Sequence, residues 1–152
     1  MIARANISDN GRPHLTYGLT KTPRGFEAKL SARTREEFYR DAVTATLEVA
    51  YGGAPPAGEY EGAVVPIQAA GDDDIEIVKE LVDDCLLAVD SAGGTLHPPR
   101  WLSFDTGRVT ANLPGTTGRT AAHKISLKRA TPVADGDAPF AVNLEFALDG
   151  GH

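Results

Sequence analysis

The chain has few of the residues that hold small proteins together from outside a core. Of its 152 residues, Cys85 is the only cysteine. No internal disulfide can form, and no cysteine pair is present to hold zinc. A lone thiol fits a reducing compartment. The four histidines (His14, His97, His123 and His152) have no zinc-like spacing. No run approaches the roughly 18 apolar residues of a membrane span, and "MIARANISDNGRP" has no apolar core of the length a signal peptide needs. The expected setting is cytoplasmic, with no membrane partner. No internal repeat and no long low-complexity run is present. There is no Gly-x-Ser-x-Gly elbow. "LPGTTGRTAAH" lacks the Gly-Lys-Ser/Thr ending of a phosphate loop and reads as an ordinary loop. Nothing in these patterns demands an enzyme or a cofactor. The net charge of −6 opposes strong direct binding to nucleic acid, because an acidic surface repels phosphate.

What is present is a globular composition, 41% hydrophobic and 24% charged, at the length of one domain. Residues 1–152 are read as that domain, with the first twenty or so hardest to assign. "IARANI" and "HLTYGLT" both alternate weakly and are candidate strands. "GFEAKLSA" alternates Phe26, Ala28 and Leu30 against Glu27, Lys29 and Ser31, the pattern of a half-buried strand. Thr34 and Glu37 then form a capping-box signature. Phe38, Ala42, Ala45 and Val49 follow on one helical face, and Gly52 and Gly53 stop the helix. "YEGAVVPIQAA" reads as a strand that Pro66 pushes to an edge or a bulge. A second helix is predicted over "GDDDIEIVKELVDDCLLAVDSAGG", capped within Asp72 to Asp74 and ended by Gly93 and Gly94. "HPPRW" reads as a rigid connector. A hairpin about Asp105-Thr106-Gly107 follows, then the strands "HKISLKRATPV" and "PFAVNLEFAL". This order predicts an α+β fold, two helices packed on a mostly antiparallel sheet.

Two charged constellations stand out. On the second helix, Ile75, Val78, Val82, Cys85, Leu86 and Val89 share one face, and Glu76, Glu80, Asp83 and Asp84 lie roughly opposite. Acids at such spacing are neighbours, but a hard cation usually draws oxygens from other elements as well. The expectation is a solvated acidic face, with Glu80, Asp83 and Asp84 as candidate partner-binding residues. The other constellation is basic. "GRTAAHKISLKRA" gathers Arg119, His123, Lys124, Lys128 and Arg129, with Lys124 and Lys128 on the same side of a strand. It is either a charged edge that discourages aggregation or a patch for phosphate, RNA or an acidic partner.

The order of these segments resembles the archease family, small proteins that assist the tRNA-splicing RNA ligase. "GFEAKLSARTREEFYRDAVTATLEVAYG" is similar to the family's first strand and its Thr-x-Glu-Glu-x-Phe helix. "IVKELVDDCLLAVDSAGG" is similar to its second helix. "HKISLKRAT" matches its Lys-x-x-x-Lys-Ala-x-Thr strand at Lys124, Lys128 and Thr131, and "FAVNLEFAL" takes the place of its last strand. The resemblance spans most of residues 23–148. It implies a non-catalytic accessory protein whose partner is a protein, with an RNA ligase as the first candidate. The two aspartates that bind metal in the family fall at Gly25 and Ala147 here. Neither side chain has an oxygen, so the resemblance implies that no metal is held there. That departure leaves a second expectation open, an archease-like adaptor in another bacterial multiprotein system with no RNA chemistry.

Overall fold

A computed structural model describes residues 17–52, 64–92, 94–99, 102–105, 107–116, 121, 124–133 and 140–148. The candidate strand "IARANI", together with His14, Trp101, Arg119, His123 and His152, lies outside them. The chain folds as the α+β arrangement its pattern predicts, two helices against antiparallel sheets.

Strands β1 (Tyr17–Thr22), β2 (Gly25–Ala32), β7 (Ile125–Pro132) and β8 (Phe140–Leu148) form one sheet in the order β1-β2-β8-β7. Every pairing in it is antiparallel. The alternation in β2 sends Ala28, Leu30 and Ala32 into the core. Its partner β8 answers with Val142, Leu144 and Phe146. The other face carries Glu27, Lys29, Asn143 and Glu145, as the period of two requires.

The second sheet is built on β6 (Arg108–Thr116), which pairs with β3 (Val64–Ala70) on one side. On its other side lie β5 (Leu102–Asp105) and the short β4 (Thr95–Leu96). The β5–β6 hairpin turns where the sequence places it, and Gly107 takes φ +72°, a left-handed conformation that favours glycine. Two segments differ from expectation. Leu113 to Thr116, expected as loop, continue β6, because Val64 and Val65 supply register partners for Pro114 and Leu113. Thr95 and Leu96, to which the pattern assigns no strand, pair with Thr116 and Gly115. The Tyr51 hydroxyl accepts from the Leu96 amide and donates to the Gly94 carbonyl, both at 3.1 Å. It pins this strand to the end of the first helix.

Helix α1 (Arg35–Tyr51) starts at Thr34, whose hydroxyl accepts from the Glu37 amide at 3.1 Å, and stops at Gly52 in a left-handed conformation. The predicted face of Phe38, Ala42, Ala45 and Val49 is buried. So are Tyr39, Val43, Leu47 and Ala50, because α1 is enclosed by the first sheet, β5 and the second helix. Helix α2 (Asp74–Ser91) is capped by Asp73, which accepts from the Glu76 amide. It ends at Ala92 in an extended conformation rather than at a glycine. Its buried stripe is Ile77, Val78, Leu81, Val82, Cys85 and Val89. Ile75 and Leu86 are only partly buried, so the apolar face is rotated slightly from the one expected. Helix α2 packs against α1, β3 and β7. No helix among the described residues is long and apolar enough to cross a membrane.

Candidate functional site

The basic residues gather around a break in the β7–β8 ladder. The register runs Leu127 to Phe146 and then Arg129 to Glu145, so Lys128 is an extra, unpaired residue. Such a bulge puts consecutive side chains on one side of a strand. Both Lys128 and Arg129 are exposed, and the Arg129 guanidinium lies 3.9 Å from Glu145. Lys124 is exposed just before β7 begins. The bulge adds Arg129 to the side of the strand that Lys128 takes, beyond the Lys124 and Lys128 the alternation picks out. Sequence alternation cannot anticipate a bulge, because the inserted residue looks like any other strand residue.

Beside the bulge a shallow groove of about 280 Å³ opens on the outer face of the first sheet. Arg24, Glu27, Lys128 and Glu145 supply its charged lining. Glu27 and Glu145 are direct partners across β2 and β8, and like charges so placed repel. Two contacts offset that repulsion. The Asn143 amide donates to Glu27 at 3.0 Å, and Arg129 stands near Glu145. Ala147, which also lines the groove, and its register partner Gly25 are the positions the family resemblance singled out. A Cβ on Gly25 would lie 2.0 Å from the Phe146 carbonyl oxygen. The backbone of β8 thus fills the space any side chain at position 25 would need. Among the described residues, no group of three or more His, Cys, Asp or Glu side chains is placed to hold a metal ion.

The acidic helix divides. The Asp84 carboxylate accepts from the Gln68 amide at 2.8 Å and the Glu80 carboxylate from the Ala70 amide at 3.3 Å. Both amides belong to the outer edge of β3, the edge away from β6. A rise of four residues along a helix is about 6 Å, and two residues along a strand span nearly the same distance. The spacing of the two acids therefore fits two successive outward amides. Pro66 falls at the next outward position, where a missing N–H leaves nothing unsatisfied. Glu80 and Asp84 are edge caps, not a wholly solvated face. Asp83 and Asp90 remain exposed, together with Leu87 at 64%. Partial burial raises the Asp83 pKa, opposed by Lys79 and reinforced by Glu80.

A larger cleft, about 630 Å³, lies where the N-terminal ends of both helices meet the β5–β6 hairpin. The Tyr39 hydroxyl donates to Asp74 at 2.5 Å, and the Arg35 guanidinium reaches the same oxygen at 3.0 Å. Arg35 also lies over the Phe140 ring, 5.2 Å from its centroid. Burial, and then the hydrogen bond to Asp74, hold the Tyr39 hydroxyl well above its ordinary pKa. Tyr39 meets the exposed Phe104 edge-on at 6.1 Å. The sequence marked Asp72 to Asp74 only as a helix cap. Nothing local to Asp74 announces a tyrosine and an arginine on another helix.

His97 is buried, with its ring nitrogen 2.8 Å from the Thr116 hydroxyl and its amide bonded to the Pro114 carbonyl. No family model matches this chain, and no curated protein matches it.

Proposed function

We infer that this chain is a non-catalytic, archease-like accessory protein that acts by docking onto a protein partner, with an RNA ligase as the first candidate. The observation that supports this reading is the pairing of Gly25 with Ala147 across β2 and β8. The resemblance assigns two ligands of one cation to these positions, which are far apart in sequence. An arbitrary alignment has no reason to bring them onto one rung. Neither residue supplies an oxygen, so the role inferred here operates without a cation at that rung.

The same loss of carboxylates favours a second reading, an adaptor in another multiprotein system with no RNA chemistry. The test is to add the purified chain to the RNA ligase of the same organism and to follow guanylylation and turnover. Acceleration supports the first reading. No acceleration and no complex with the ligase sinks it. A stable complex with a protein that is not a ligase then supports the adaptor.

A further inference from the structure

We propose that the seam between α2 and β3 at Leu87 is a docking surface for a protein partner that presents an apolar pocket rimmed by lysine or arginine. The proposal deepens the accessory reading and rests on it for the nature of the partner. Its geometry follows from the two edge-capping bonds. Glu80 reaches Ala70 and Asp84 reaches Gln68, so the helix and the strand run in opposite directions. Continuing the same spacing along both elements places the next turn of α2, with Leu87, opposite Pro66 and the last turn opposite Val64. Here the capping ends, since Pro66 has no amide to satisfy.

What remains at this end of the seam is apolar and exposed. Leu87 is 64% and Val64 52% exposed, two of the three large apolar side chains most open to solvent among the described residues. Pro66, two residues along β3 from Val64, is exposed as well. The sequence pattern gives no reason for a leucine at position 87, because the core stripe of α2 is complete without it. An exposed apolar cluster with a polar rim marks an interaction site more often than a solvated surface does.

Charge selects the partner. Along α2, the carboxylates of Glu80, Asp83, Asp84 and Asp90 stand within two turns of Leu87, and Lys79 is the one basic residue of that helix. A second copy of this chain would bring the same acids face to face and be repelled. Nucleic acid is excluded by the same sign of charge. A protein surface with an apolar pocket and basic rim is attracted by both parts of the seam.

The test uses the isotope-labelled chain and a short amphipathic helical peptide of leucine and lysine. The expected result is salt-sensitive binding that shifts the backbone signals of residues 64–68 and 83–91. Leu87→Asp is expected to weaken it by about tenfold or more, with only a small fall in melting temperature, set by repulsion from Asp83, Asp84 and Asp90 rather than by lost core packing. A peptide of leucine and glutamate is expected not to bind. Absence of binding, equal binding by Leu87→Asp, or shifts confined to residues 72–74 and 104–105 at the large cleft would each overturn the surface. Running Leu87→Asp in the ligase assay separates the two ideas. Ligase stimulation that survives the substitution overturns this surface and leaves the accessory reading intact. Peptide binding at the seam without any ligase response supports the surface and removes the ligase as partner.

Discussion

A carboxylate held away from water on α1 ties the stability of this chain to pH. Burial, and then the neighbouring charge of Glu37, push the Asp41 carboxyl up to about 7, against a lowering effect of Arg40. One of its oxygens is buried without a hydrogen-bond partner among the described residues. The folded state therefore keeps a proton that the unfolded chain releases from about pH 3.8 upward. That contribution is fully present below the ordinary carboxylate range and is lost as pH rises through about 7. Asp41→Asn is accordingly expected to raise the melting temperature at pH 8 and to change it little at pH 4. The gain is about 2–4 °C for each kcal/mol relieved, read from melts across that range. A second residue-scale prediction concerns Gly25. Its missing Cβ is required by the Phe146 carbonyl at 2.0 Å, so Gly25→Ala must push β8 aside. A loss on the order of 1–3 kcal/mol is expected, measured by denaturant unfolding. A variant as stable as the parent would show that the strands separate freely at this rung.

At the scale of elements, the α2–β3 seam shows side chains of a helix standing in for a missing strand. The outward amides of Gln68 and Ala70 would otherwise form an open sheet edge, which invites pairing with another chain. Glu80→Ala with Asp84→Ala is expected to speed hydrogen exchange at those two amides. Exchange at Ile67 and Ala69, whose amides face β6, is expected to change much less. Stability is expected to fall by about 1 kcal/mol per lost bond. Equal exchange at all four positions would show that the acids do not protect the edge. The acids were legible in the sequence, and so was the edge character that Pro66 gives β3. Their connection was not, because 16 residues separate Asp84 from Gln68 and neither segment's periodicity encodes which helix covers which strand. The bulge at Lys128 was hidden for a related reason. A strand's alternation is read against itself, whereas a bulge is defined by the partner strand.

At the scale of the whole molecule, both sheets and both helices contribute to one continuous buried cluster. Cys85 sits within it, fully buried, its thiol pushed up to about 12 by burial and by Asp84. A thiol reagent reacts with the thiolate, so Cys85 is a reporter of opening. Labelling in native buffer is expected to be very slow and to follow the global unfolding transition in denaturant. Rapid labelling in buffer would mean that α2 detaches from the core on its own, in what is then not a two-state protein.

The sequence by itself determined both helices, their caps at Thr34 and within Asp72 to Asp74, most of the strands and the α+β class. These follow from short-range physics, where period, caps and turn residues act within a few positions. It also supplied the resemblance on which the accessory reading rests. Tertiary structure alone decided that Gly25 and Ala147 share a rung, that Glu80 and Asp84 serve β3, and that Tyr39 and Arg35 converge on Asp74. It also left Leu87 uncovered beside Val64. Each of these depends on which elements become neighbours, and that is set by how all the apolar faces are buried at once.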